Sequence, residues 1–223
     1  MEKTAMGNTD HLVVTIGRSF GAGGREVGHR IAARLGISYY DKELLTEAAR
    51  SCGLDAGLFL RNDERAPSAF SGLLPMSAAY GMMSWVGGVG SSEVGHGAGE
   101  AVYRAQSEFI RRVASRGPCV VVGRTADYVL RDFPRLVSVF LHAPERVCVE
   151  RIMHRTDGVS AEEAARMLRT TNRLRARFYN YYTGRKWGDA LGYDLCVDSS
   201  LISIDDVVDI ICDYIARRFK SRL

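Results

Sequence analysis

No apolar run in this sequence is long enough and uniform enough to cross a bilayer. Its longest uncharged stretch, Ala66 to Ser92, is too rich in Gly, Ser and Pro to read as a membrane span. No membrane partner is therefore expected. The first ten residues, MEKTAMGNTD, have no apolar segment of the kind a signal peptide carries. Strong charge bias is missing as well: the net charge is +4, too small to argue for nucleic acid. None of the five cysteines, Cys52, Cys119, Cys148, Cys196 and Cys212, forms a CxxC pair, and three of them sit inside apolar runs. Buried reduced thiols in a cytoplasmic protein are the expectation, with no disulfide and no metal site assigned to any residue. No internal repeat is visible. One further absence concerns chemistry. The stretch TIGRSFGAGGREVG has the look of a phosphate-binding loop, yet the lysine of the pattern G-x-x-x-x-G-K-[ST] is missing; Gly23 is followed by Gly24, Arg25 and Glu26.

What is present reads as an alternation of short apolar runs and helical stripes. Residues 12–16 (LVVTI) form a short β-rich run followed at once by glycines, as a buried strand would. Val27, Ile31 and Leu35 then recur at four-residue spacing until Gly36. Strands are predicted again at 37–41, 119–122, 136–141 and 195–198, with helices over 24–35, 42–52, 100–116, 145–155, the stretch opened by Ser160, and the stretch opened by Ser203. Ser160 with Glu163 makes a capping box, and Ser203 with Asp206 a similar start. The Ser160 helix turns Ala164, Met167, Leu168, Thr171 and Leu174 inward. Strands alternating with helices predict an α/β protein with a five-stranded parallel sheet covered on both faces, in one domain over 1–223. Residues 62–99 differ: they are glycine-rich, weakly periodic, and read as an irregular insertion or flap that helps bind an acceptor.

In a parallel sheet, ligands gather at the carboxyl ends of the strands. The residues just past each strand are therefore the candidates: Arg18 to Arg25, Asp41, Gly123 to Asp127, His142 and Asp198. Glycines in the first loop let backbone N–H groups turn inward, and the positive end of the next helix points at the same spot. An anion nest of this kind needs no lysine, and either Arg18 or Arg25 can supply the charge that lysine adds. A structural tight turn is the alternative. His142 reads as a strand-end residue rather than a base. Arginine crowds the chain from Arg146 to Lys186, and its planar donor fork suits phosphate. Arg151 with Arg155, and Arg173 with Arg177, are each spaced to share one helix face. The first pair either reaches a ligand or ion-pairs with Glu150 or Asp157.

Taken together, these motifs resemble the cytidylate kinase-like family. The cytidylate kinase loop GPSGAGKG is matched by RSFGAGGR, with Gly21-Ala22-Gly23 in common. Asp41 in YYDKELL matches a second-strand aspartate. Gly123-Arg124 matches a GRD motif whose aspartate place is held by Thr125, with Asp127 two residues further on. VSVFLHAPERVCVERIMHR resembles the fourth strand and the start of a lid, RLRARFYNYYTGRKWGD its arginine helix, and DLCVDSSLISIDDVVDII the last strand and helix. The likeness covers nearly the whole chain except 62–99. It implies a P-loop kinase fold with mobile monophosphate-binding and lid regions, the lid over 145–188, and phosphoryl transfer from ATP, with Mg²⁺, to CMP or dCMP.

On that resemblance, Arg18, Ser19, Gly21, Ala22, Gly23, Gly24, Arg25 and Glu26 face the donor. Asp41, Arg124, Asp127, Arg173, Arg177, Arg185 and Lys186 face the acceptor. Arg25, Arg151, Arg155, Arg173 and Arg177 carry the charge of the transferring group. Asn172 lies where cytidylate kinases have an aspartate for the sugar. Asp41 orients the acceptor or caps the next helix; Arg124 holds the acceptor phosphate or makes a surface ion pair. The loop YNYYTGRKWGD either stacks on a base or docks a second subunit, which leaves a homo-oligomer open. The missing lysine and the displaced aspartate also leave open a nucleotide-binding sensor or assembly protein without turnover.

Overall fold

The computed structural model describes residues 11–41 and 94–220. In chain order these form β1 (Val13–Arg18), α1 (Gly24–Leu35), β2 (Ser38–Tyr40), α2 (Val94–Arg116), β3 (Cys119–Val122), the single-turn α3 (Ala126–Val129), β4 (Leu136–His142), α4 (Glu145–Arg155), α5 (Ala161–Thr183), β5 (Leu195–Asp198) and α6 (Ile204–Lys220). A 3₁₀ turn at Ala190–Gly192 precedes β5. The five strands make one sheet in the order β2-β3-β1-β4-β5, and every pairing is parallel. The fold class expected from the alternation is the one observed. The predicted helix over 42–52, Cys52, and residues 62–93 of the expected insertion lie outside the described residues.

Strand side chains alternate between faces, and the core divides accordingly. Val14, Ile16, Val120, Val122, Val137, Val139 and Leu141 face α1 and α6. Val13, Cys119 and Val121 face α2 and α3. Because both faces are covered, the central strands β3, β1 and β4 are buried over most of their length and mainly apolar, whereas the edge strands β2 and β5 are only partly buried. Helix α1 lies close to the sheet because position 28 is glycine. A Cβ there would come within 2.9 Å of Val122 and 3.2 Å of Ile16. The same helix stops at Gly36, whose φ of 64° is the left-handed form that glycine takes without strain. Helices α4 and α5 pack on each other around Cys148, Ile152, Ala164 and Leu168, with Phe20 of the first loop against them.

Three expectations change here. The irregular stretch was expected to run to residue 99, but α2 begins at Val94, despite glycines at 95, 97 and 99. The YNYYTGRKWGD segment is not wholly a loop: α5 runs through Thr183, and Tyr179 is buried in the core. Cys196 is exposed, unlike the buried Cys119 and Cys148. The Cys119 thiol, enclosed by apolar neighbours, is pushed up to about 12 by burial, so it stays protonated and inert. Among the described residues no helix is long and apolar enough to cross a membrane.

Strand β1 sits at the centre because the chain leaves it toward β2 and β3 on one side and returns to β4 and β5 on the other. A crevice therefore opens beyond the carboxyl end of β1, where the direction of winding reverses. Neighbouring residues of α6 give a direct check on the packing. Ile211 is fully buried, whereas Ile210 is 44% exposed. Ile211→Ala should cost about 2–5 kcal/mol in urea unfolding, and Ile210→Ala should stay within about 0.5 kcal/mol. Equal losses would contradict this placement of α6.

Candidate active site

The crevice at β1 is a cavity of about 390 Å³ lined by Arg18, Ser19, Phe20, Gly21, Gly23, Gly24, Arg25, Asp41, Val122, Arg124, Arg155, Thr171, Leu174 and Arg175. Its floor is the glycine-rich loop and the first turn of α1. Gly21 and Gly23 have φ values of 82° and 83°. Such values are costly for residues with a Cβ, and a Cβ at Gly21 would also sit 2.8 Å from the Cys148 carbonyl of α4. The loop thus turns sharply beneath α4 and presents the N-terminal, positive end of α1 to the cavity.

Opposite this floor, Gly123, Arg124 and Thr125 have φ values of 77°, 61° and 53° in succession. For residues with side chains that conformation costs on the order of 1–3 kcal/mol each. The turn carries Arg124 into the cavity wall with its side chain largely buried; the residue is 4% exposed. The Thr125 hydroxyl donates to the Arg124 carbonyl at 2.6 Å. Arg124 is therefore buried in the cavity wall rather than set on the surface. Arg25 turns toward β2, where its Nε lies 3.1 Å from the Asp41 carboxylate. The Tyr39 hydroxyl is hydrogen-bonded to the Arg25 carbonyl at 3.3 Å. Asp41 is nearly buried at the cavity's β2 side.

Helices α4 and α5 place another set of arginines in the cavity than the four-residue spacing predicts. Arg155 lines the cavity from the end of α4, and Arg175 lines it from α5. Arg175 donates to the Arg18 carbonyl at 3.2 Å and lies over the Phe20 ring. Arg173 and Arg177 are exposed; Arg173 lines a neighbouring cavity with Ser19, Cys148 and Asn172. Arg175 was missed because the four-residue pairing of Arg173 with Arg177 drew the assignment. The signal was in the apolar stripe, since Arg175 lies four residues after Thr171 and seven after Leu168. Asn172 does accept a hydrogen bond, from the Phe20 amide at 2.8 Å, so it fixes the loop.

Several other candidates are built into the structure rather than turned to the cavity. Arg151 donates to the Ser199 hydroxyl at 3.0 Å and to the Ser199 carbonyl at 2.6 Å. Ser199, fully buried, donates to the Ala22 carbonyl at 2.9 Å. Arg151 therefore steadies the loop from behind and pairs with neither Glu150 nor Asp157. Ala22 is buried beneath the loop, and Glu26 pairs with Arg30 at 2.6 Å one turn along α1. Arg185 lies over the Tyr128 ring, and Lys186 is exposed beyond the end of α5. Among the described residues, no three His, Cys, Asp or Glu side chains gather as a metal site.

Asp127 is half-buried and accepts a 2.6 Å hydrogen bond from the Tyr179 hydroxyl of α5. That bond ties the arginine helix to the turn bearing Arg124. Burial raises the Asp127 carboxyl above its ordinary value, against smaller lowering effects from Tyr179, the backbone amides and Arg185. The folded protein holds this proton more tightly than the unfolded chain. The stabilising effect of that proton is complete below the unfolded value of 3.8 and is lost as pH rises through the folded one. Asp127→Asn, which stays neutral and can still accept from Tyr179, should gain stability relative to wild type as pH climbs from about 4 toward 7. Urea unfolding at stepped pH measures it; a pH-independent difference would contradict the assignment.

Known proteins resemble this chain in sequence and fold. The model of the cytidylate kinase-like family matches residues 13–201. A cytidylate kinase of Aeropyrum pernix is 29% identical over 205 residues, covering 89% of this chain and 95% of that protein. A cytidylate kinase of Pyrobaculum neutrophilum is 35% identical over 109 residues, but that match spans 49% of this chain and 58% of the relative. Among solved structures, an uncharacterized protein from Eubacterium ventriosum superposes with a TM-score of 0.67 at 26% identity, over 92% of this chain and 98% of that one. A shikimate kinase from Acinetobacter baumannii shares the fold, with a TM-score of 0.51 at 14% identity over 95% of this chain and 96% of its own. The family match starts at the first residue of β1 and ends in the loop after β5, so it spans all five strands and the described cavity wall: the chain belongs to the cytidylate kinase-like family.

Proposed function

We propose that this protein transfers the terminal phosphoryl group of ATP, with Mg²⁺, to a nucleoside monophosphate, CMP or dCMP. One observation carries the reading: Arg18, Arg25, Arg124, Arg155 and Arg175 line a single cavity whose floor is a glycine-rich turn and a helix N-terminus. Phosphoryl transfer of this kind needs little covalent help from the protein. It needs the reacting groups positioned, water kept out and positive charge spread over the moving group. In this reading the loop amides and the end of α1 hold the donor phosphates. Arg124, on its strained turn, holds the acceptor phosphate, and Arg25 with Asp41 forms the acceptor side. Arg155 and Arg175, from two different helices, neutralise charge as it develops. Magnesium, when bound, would be held chiefly by the donor phosphates and water and would add positive charge there, since no three His, Cys, Asp or Glu side chains gather among the described residues. Arg151, Asn172 and Asp127 act at one remove, by holding the loop and the arginine helix in place.

The choice of CMP or dCMP rests on the cytidylate kinase-like family match and on relatives named cytidylate kinase. A second reading, nucleotide binding without turnover, is favoured by Gly24 in the lysine's place and Thr125 in the place of the GRD aspartate.

The test is ADP formation with ATP, Mg²⁺ and each nucleoside monophosphate in turn. CMP or dCMP should support turnover above AMP, GMP and UMP. ATP binding without turnover on any acceptor would overturn the kinase reading in favour of the second. Arg175→Ala should lower kcat/KM by about 10²–10³-fold while Arg173→Ala changes it far less. Equal losses would return Arg173 to the site.

A further inference from the structure

The pattern G-x-x-x-x-G-K laid on this loop begins at residue 18 and puts its lysine at residue 24. Both ends of the pattern are altered. The first position, normally glycine, is Arg18; the seventh, normally lysine, is Gly24. In the structure these two changes meet. A Cβ at Gly24 would stand 2.7 Å from Cγ, 2.8 Å from Cβ and 3.3 Å from Cδ of Arg18. The stem of Arg18 therefore runs through the space where a side chain at 24 would begin. Its guanidinium continues to the carboxyl end of β3. There a Cβ on Gly123 would collide with Nη1 and lie 3.0 Å from Cζ of Arg18. The Arg18 backbone is fixed in turn by Arg175, which donates to its carbonyl. Arg25, the other arginine within residues 18–25, is directed to Asp41 on the β2 side.

We propose that Arg18 stands in for the phosphate-loop lysine through an exchange of large and small residues: the cation enters from the first position of the loop, and Gly24 and Gly123 are kept without side chains to admit it. The proposal rests on the phosphotransferase reading and names the residue that brings positive charge to the outer donor phosphates. The two geometries differ in chemistry as well as position. A lysine gives a flexible point charge, whereas arginine offers a planar fork that can bridge two oxygens and stays charged at all working pH values. An arginine so placed lies between the loop and the Gly123-Arg124 turn, so it can contact phosphates of donor and acceptor together.

The exchange predicts a specific pattern among variants, each checked for folding by circular dichroism and thermal unfolding. Arg18→Ala should lose ATP affinity or turnover by about 10²–10³-fold. Arg18→Lys should keep part of the activity, because the charge remains. Gly24→Lys alone should lose activity, because its stem collides with Arg18. The double variant Arg18→Gly with Gly24→Lys rebuilds the ordinary pattern and should recover at least tenfold over Arg18→Gly. A folded double variant no better than Arg18→Gly overturns the exchange. So does an Arg18→Ala protein with wild-type affinity and turnover, above all if Arg25→Ala then abolishes them. Wild-type protein that binds no ATP contradicts the phosphotransferase reading itself; ATP-binding wild type with an indifferent Arg18→Ala contradicts the Arg18 assignment alone.

Discussion

Like charges gathered in one place repel, and the end of this sheet gathers five arginines around one cavity. Two unit charges about 6 Å apart cost roughly 3 kcal/mol at an effective dielectric of 20. The surrounding architecture meets that cost with fixed acceptors. Arg175 is held by the Arg18 carbonyl and Arg25 by the Asp41 carboxylate. Backbone strain is accepted as well, in the left-handed turn that carries Arg124. A site held this way is already arranged for a polyanion, so binding one relieves repulsion instead of requiring reorganisation.

The loop beneath the arginines is held from several directions. Cys148 of α4 presses on Gly21, Asn172 of α5 takes the Phe20 amide, and Ser199 after β5 takes the Ala22 carbonyl with Arg151 behind it. The lid-like helices α4 and α5 are thus wired to the loop through its backbone. Asp127 and Tyr179 make a second link, from α5 to the Arg124 turn. Motion of α5 would therefore be felt at both the glycine-rich loop and the Arg124 turn.

Much of this could be read from the chain. Short apolar runs ending in glycine, histidine or aspartate marked the five strands, because buried parallel strands leave no polar alternation to confuse them. The glycine loop, Asp41 and Arg124 emerged from the rule about strand ends, and Arg155 from the helical spacing of the arginines. What escaped was decided by distant contacts. Arg151 has its partners 48 residues away, which no local spacing reveals. Arg175 was visible only to a reader who extended the apolar stripe of α5 into charged sequence. Val94 to Gly99 lacks helical propensity, yet it continues a helix whose later turns are packed into the core. The chain left Arg18 and Arg25 open as the source of the missing lysine's charge, and only the fold sets the Arg18 stem over Gly24.

The central claim is that this cavity binds phosphate groups, and thermal unfolding in the presence of ligand tests it most directly. A ligand that binds only the folded chain raises the unfolding midpoint as its concentration increases. The account predicts a concentration-dependent rise with ATP, a rise with inorganic triphosphate, weakening of both by added salt, and little effect of adenosine. A midpoint unmoved by ATP, or moved as far by adenosine as by ATP, would contradict it.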